Sequence, residues 1–170
     1  MPAVLKIVGT KKSGKTGLIE RLCREFIERG FRVSALKTTS HDHEFDRPNS
    51  DTWRYRKAGA ITAVIVSPNE FVCHAGNVDK EDRMRIYDIL YRDIDLLFLE
   101  GSGEMEAPMI ECIGSDKTSQ FTGDSNLLAI VTDESRFSGY ENFGSSEISA
   151  IADFLIGKLG IKKAGSSPAR

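Results

Sequence analysis

Short apolar runs alternate with amphipathic segments along the chain, and this alternation predicts an α/β protein. Residues 3–8 read as a first strand and 15–29 as a first helix. Leu18, Ile19, Leu22, Cys23, Phe26 and Ile27 fall at i, i+1, i+4, i+5, i+8 and i+9, one stripe suited to packing on a sheet. Gly30 stands where a left-handed glycine ends a helix. A second strand, 31–37, leads into 38–50, a polar stretch with two histidines, several acids and Pro48 that is a loop by composition. A short helix follows over 50–58, capped by Ser50 or Asp51. Residues 61–67 and 71–74 are β-prone, and 79–92 are helical with Asp79 as the N-cap. Residues 96–99 are wholly apolar, as in a strand buried on both faces of a parallel sheet. Residues 109–113 read as an edge or hairpin strand and 127–132 as another central strand. The last helix covers 146–159, with Ile148, Ile151, Leu155 and Leu159 on one face. Six or seven strands and four helices in this order predict a three-layer α/β/α fold with a mostly parallel central sheet.

The 170-residue length fits one domain, placed over 1–161, with 162–170 as a frayed small, polar and basic tail. Hydrophobic residues at 40% and charged residues at 28% argue against a disordered chain. The net charge of -2 excludes a strongly basic nucleic-acid binder but conceals an asymmetry. Residues 1–60 carry 13 Lys and Arg against 7 Asp and Glu, so the N-terminal third suits an anionic ligand. Arg21, Arg24 and Arg29 are expected on a solvated helix face. No apolar run approaches the ~20 residues that span a bilayer. Cys23, Cys73 and Cys112 form no C-x-x-C pair and read as free thiols. The expectation is a cytoplasmic protein with neither a membrane nor a nucleic acid as partner.

Between the first strand and the first helix stand Gly9, Thr10, Lys11, Lys12, Ser13, Gly14, Lys15 and Thr16, a full G-x-x-x-x-G-K-[ST] phosphate loop. Glycines let the backbone curl so that successive N–H groups face one anion. The helix adds the positive end of its dipole. Lys15 reaches the β- and γ-phosphates and the Thr16 hydroxyl binds Mg²⁺. Gly17 continues the nucleotide-binding stretch. Lys11 and Lys12 add charge at the same spot, or are simply solvated.

A nucleotide site also needs a carboxylate across the sheet. Glu100 ends the apolar run 96–99 and precedes Gly101, Ser102 and Gly103. It either holds Mg²⁺ and positions water, or merely caps a strand end. The 38–50 loop starts at the same edge and contains His41, Asp42, His43, Glu44 and Asp46. Its histidines lack a third well-spaced metal ligand. The loop either offers Mg²⁺ a carboxylate or is plain solvated chain. His74 reads as structural, while Trp53 and Tyr55 fit either a core or an interface.

These residues resemble the molybdopterin-guanine dinucleotide biosynthesis protein B (MobB) family. The likeness is carried by the phosphate loop, by Lys37-Thr38-Thr39-Ser40-His41-Asp42, and by Asp46-Arg47-Pro48-Asn49-Ser50-Asp51 leading into Arg56-Lys57-Ala58-Gly59-Ala60. It continues through the apolar strand that ends in Glu100-Gly101, and covers roughly residues 3–135. The family often has a glycine at Asn49, and an aromatic and a lysine at Ser102 and Gly103. The resemblance implies a P-loop NTPase fold that binds GTP and Mg²⁺, with at most slow GTP hydrolysis. It implies a homodimer assisting a partner nucleotidyltransferase (MobA-like) that joins GMP to molybdopterin, giving the guanine dinucleotide. Carried over to this chain, Gly9–Thr16 hold the phosphates. Thr16, Glu100 and Asp46 serve the metal, and Lys15, Glu100 and Asp46 serve any hydrolysis. No Asn-Lys-x-Asp guanine motif is present. Asp133 ends the strand where that motif belongs, and is either the guanine reader or a turn residue. The alternative is a small-molecule kinase using ATP or GTP. Against it, its lid, 114–126, has no arginine and one lysine, Lys117.

Overall fold

Six strands pair in parallel in the order β2-β5-β1-β6-β7-β8, the frame of a computed structural model that describes residues 2–101, 105–115, 118–134 and 137–163. The strands are β1 (Ala3–Val8), β2 (Val33–Lys37), β5 (Leu96–Glu100), β6 (Met109–Cys112), β7 (Leu127–Val131) and β8 (Glu141–Phe143). A separate antiparallel pair comprises β3 (Thr62–Val66) and β4 (Phe71–Ala75). The helices are α1 (Lys15–Glu28), α2 (Asp51–Lys57), α3 (Lys80–Leu90) and α4 (Ile148–Leu159). Within the span expected as one domain, contacts gather into two compact units. One comprises residues 1–39 and 90–170; the other, 40–89, is inserted between β2 and β5.

In the first unit, side-chain alternation sends Leu5 and Ile7, Leu96 and Phe98, Ile110 and Cys112, and Ala129 and Val131 into one buried cluster. Leu18, Ile19, Leu22 and Phe26 of α1 and Ile151, Ala152 and Leu155 of α4 complete it. Ile27 lies off this stripe and is 59% exposed. A Schellman motif ends α1: Phe31 N–H donates to Phe26 C=O (2.9 Å) and Gly30 N–H to Ile27 C=O (2.8 Å). Gly30 takes φ 82°, and the Phe26 and Phe31 rings meet edge-on at 5.5 Å. On the opposite sheet face, Val8, Met109, Ile113, Leu127 and Ile130 pack with Phe121, Phe137 and Tyr140.

Three expectations change. β6 is central rather than an edge or hairpin strand: it pairs in parallel with β1 and β7, and all four residues are buried. Its Glu111, 1% exposed, accepts from Ser119 Oγ and from the Gln120 N–H (2.8 Å). These bonds satisfy a carboxylate that would be costly to bury alone, and they tie the 118–126 segment down. The predicted strands 61–67 and 71–74 leave the main sheet for the β3–β4 ribbon. Arg29, on the solvent side of α1 and 23% exposed, is not simply solvated: it bonds Glu25, Asp153 (2.5 Å) and Ser149 Oγ (2.8 Å), joining α1 to α4.

In the second unit, Ser50 Oγ accepts the Trp53 N–H (3.2 Å) and caps α2. Asn49 before it lies at φ 66°, a conformation that glycine or asparagine adopts most readily. The carboxylate of Asp79 accepts the Asp82 N–H (2.8 Å) at the start of α3.

Phe26 is fully buried where α1 meets β5, its ring 5.9 Å from that of Phe98. Phe26→Ala is expected to cost about 3–5 kcal/mol, read as a lower denaturant midpoint with an unchanged slope.

Candidate functional site

Residues 9–14 carry the turn from β1 into α1. Gly9 lies at φ 134°, Lys12 at 65° and Gly14 at 92°. Gly9 also sits where no side chain fits: a Cβ there would stand 2.2 Å from the Cys112 carbonyl oxygen and 2.8 Å from Ser13 Oγ. The turn is thus pressed against the end of β6. Gly14 is the N-cap of α1 and offers no side-chain acceptor, and the first turn of α1 holds no acidic residue. Its N–H groups and its dipole therefore open onto the loop without an internal anion. Ser13 Oγ is buried in the same loop without a hydrogen-bond partner among the described residues. A phosphate oxygen suits such a hydroxyl.

Lys15 Nζ arches back over the loop and donates to the carbonyls of Gly9 (3.0 Å) and Thr10 (2.7 Å). Thr16 Oγ1 donates to the Glu100 carboxylate, 2.9 Å from Oε2 and 3.1 Å from Oε1. This contact follows from the pairing, because Glu100 lies beside Ile7 of β1 and Lys37 of β2. Lys37 Nζ reaches Glu100 Oε1 at 3.0 Å. The Glu100 side chain is 13% exposed. Behind it, Gly101 at φ 107° packs against Thr38, whose oxygens would lie 2.7–2.8 Å from a Cβ. Ser102 and Gly103 lie outside the described residues, as does Lys117.

The charge of Lys37 on Glu100 was not among the sequence expectations. Its signal was the lysine ending a strand that leads toward the same sheet edge. The Thr16 hydroxyl and Glu100 carboxylate are hard oxygen donors of the kind Mg²⁺ takes, so these residues fit that ion.

On the other side of the loop, a cavity of about 370 Å³ is lined by Lys12, Ser13, Arg21, Cys112, Asp133 and Ser145 among others. The Asp133 carboxylate accepts the Ser145 N–H (2.6 Å). Hydrogen bonds from the Ser145 side chain and backbone hold its pKa below the ordinary aspartate value, against a small opposing effect of burial. Asp133 therefore has a turn role, and it also lines the cavity beside the loop. The Cys112 thiol is pushed up to about 12 by burial and is not a nucleophile.

Asp46 belongs to the second unit. It is 4% exposed and accepts from Ser50 Oγ (3.0 Å) and Thr52 Oγ1 (3.0 Å). His74 Nε2 stands 3.6 Å from Oδ1 and Arg56 Nη1 3.9 Å from Oδ2. Burial raises its pKa, but the two hydroxyls, His74 and Arg56 outweigh that and leave it lowered. The carboxylate is thus the hub of its own unit. Among the described residues, no group of three or more His, Cys, Asp or Glu side chains gathers as a metal site. No helix among them is long and apolar enough to cross a membrane.

A family model described as "MobB: Molybdopterin guanine dinucleotide synthesis protein B" matches residues 4–133. The molybdopterin-guanine dinucleotide biosynthesis adapter protein of Escherichia coli is 24% identical over 162 residues, 92% of this chain and 93% of the relative. The Haemophilus influenzae protein of the same description is 27% identical, over 89% of this chain and 86% of the relative. A crystal structure of molybdopterin-guanine biosynthesis protein B is 31% identical, covering 92% of this chain and 99% of that chain, with a TM-score of 0.69.

Two glycine substitutions separate shape from composition in the loop. Gly9→Ala meets the Cys112 carbonyl at a strained φ, and thermal melting is expected to show a loss of several degrees or of the folded state. Gly17→Ala meets nothing within 4 Å and lies inside α1, so it is expected to be neutral or to stabilise by up to about 1 kcal/mol. A third change reads the second unit. Because Asp46 is held below its unfolded value, its stabilisation is complete above about pH 4 and is lost as pH falls through its folded value. Asp46→Asn is expected to flatten that acid limb when unfolding is followed by circular dichroism.

Proposed function

The chain belongs to the molybdopterin-guanine dinucleotide biosynthesis protein B family, and on that premise we propose that it is an adapter that binds Mg-GTP at residues 9–17. The observation that carries this reading is the meeting of Thr16 and Glu100, 2.9 Å apart, beside a phosphate loop pressed against β6. The loop amides, the Lys15 ammonium and the orphaned Ser13 hydroxyl receive the phosphate oxygens. Thr16 and Glu100 hold Mg²⁺, which when bound neutralises charge on those oxygens. Lys37 supplies the positive charge that Glu100 otherwise shares with the metal.

Hydrolysis is slow in this reading, because neither an arginine nor a strong base is assigned to the γ-phosphate. Asp133 and Arg21 line the cavity beside the loop and suit the guanine end of the nucleotide. Asp46 is not assigned to the metal, since its carboxylate is taken up by Ser50, Thr52, His74 and Arg56.

The adapter acts with a partner nucleotidyltransferase that joins GMP to molybdopterin. It works as a homodimer. The β3–β4 ribbon supports this, with Val64, Ile65, Val66, Phe71 and Val72 all exposed. A bare two-stranded ribbon is marginal in water and gains from being covered.

Lys15→Ala is expected to weaken GTP binding in calorimetry by roughly 100-fold or more, a tenfold loss per 1.4 kcal/mol of charge-assisted contact. Retained affinity would remove the assignment. Glu100→Gln is expected to abolish the Mg²⁺ dependence of GTP affinity while leaving metal-free binding. Phe71→Asp is expected to convert a dimer to a monomer in sedimentation without loss of GTP binding.

A further inference from the structure

The second unit contains a cavity of about 420 Å³ that the GTP reading does not use. It is large enough for a small organic ligand. The indole of Trp53, Arg56 and Lys57 from α2, and the exposed Glu44 line it. Gly59, Ala60, Ile61, Gly76 and Asn77 form the rest of the wall, and a Cβ at Gly76 would stand 3.6 Å from Arg56 Nη2.

The donors already grip an anion. Glu44 Oε1 accepts from Trp53 Nε1 (2.8 Å) and stands 3.2 Å from Lys57 Nζ. Lys57 Nζ also lies 5.1 Å from the indole centroid, a cation–π pair. Arg56 Nη1 stands 3.9 Å from Oδ2 of the buried Asp46, an ion pair without a hydrogen bond. Asp46 thus sets a buried carboxylate behind one cation of the cavity wall. Glu44 sits on a loop without regular structure, and its side chain is 43% exposed. An internal carboxylate in that place is easily displaced by a more highly charged oxyanion.

A flat π surface beside two cations recognises a phosphorylated planar heterocycle. We propose that this cavity binds the phosphorylated pterin of molybdopterin, with Trp53 stacking on the ring system and Arg56 and Lys57 taking the phosphate in place of Glu44. The choice of a pterin rests on the family reading above. The cavity places this ligand on the inserted unit and leaves the phosphate loop to the nucleotide.

Trp53 is the chain's one tryptophan, so its fluorescence reports the cavity directly. The full chain is titrated with 6-hydroxymethylpterin monophosphate, the unphosphorylated pterin, GMP and inorganic phosphate. Saturable quenching by the pterin phosphate is expected, at roughly tenfold lower concentration than by the unphosphorylated pterin, as one charge-assisted contact provides. Lys57→Ala is expected to erase that difference and Glu44→Gln to tighten binding several-fold. Lys15→Ala is expected to leave the quenching unchanged. No saturable quenching, or quenching indifferent to both Lys57→Ala and Glu44→Gln, would overturn the site. Tighter, Lys57-dependent quenching by GMP would overturn the pterin in favour of a nucleotide. GTP calorimetry on the same preparation separates the two readings: heat from GTP with no response of Trp53 removes the pterin site alone.

Discussion

The register of β1 between its two neighbours is the constraint from which the site follows. Ile7 pairs with Glu100 on one side and Ile110 on the other, and Glu100 pairs with Lys37 beyond it. Side chains alternate along a strand, so a slip of one residue would turn Glu100 to the opposite face and part it from Thr16. The slip is resisted by Leu5, Ile7, Leu96 and Phe98, which would leave the buried cluster together. Apolar burial thus sets the position of a polar pair. The contact of Gly9 with the Cys112 carbonyl adds a second fix, from β6.

Charge in the molecule is arranged locally. The excess of Lys and Arg in residues 1–60 resolves into separate tasks. Lys15 spans the loop, Lys37 stands on Glu100, and Arg29 ties α1 to α4. Arg56 and Lys57 line the cavity of the inserted unit. Two buried carboxylates do structural work by different means. Glu111 is satisfied by one hydroxyl and one backbone amide. Asp46 gathers two hydroxyls, an arginine and a histidine. Removing a partner from either would strand a buried charge, which costs more than the pair contributes.

Much of this was legible in the sequence where local chemistry and tertiary structure agree. The phosphate loop needs glycines for backbone reasons, and both Gly9 and Gly14 take positive φ. Ser50 caps α2 and Gly30 ends α1 because those roles depend on neighbours a few residues away. Legibility failed where the partner is distant. Residues 109–113 read as an edge or hairpin strand, yet Met109–Cys112 is buried, with Ser119 and Gln120 bonding the Glu111 carboxylate in the interior. Glu141–Phe143 is too short and polar to announce a strand. Residues 62–66 are as β-prone as any core strand, yet among the described residues they pair with β4 alone and leave Val66 and Phe71 exposed. Lys37 is one strand-ending lysine among many until the pairing with β5 sets it beside Glu100.

The inserted unit has a consequence for the order in which the chain acquires structure on the ribosome. The first strand finds both of its partners late, at 96–100 and 109–111, and the second strand pairs, among the described residues, with 96–100 alone. Residues 3–37 therefore emerge with no strand to pair with, while residues 40–89 are contiguous and hold both strands of their own ribbon. Distant pairings carry a loop-closure cost that local ones avoid. Synthesis from the N-terminus thus makes both partners of the β3–β4 pairing available before those of the sheet that surrounds it in sequence. The phosphate loop, though written first, acquires its carboxylate only when residue 100 has left the exit tunnel.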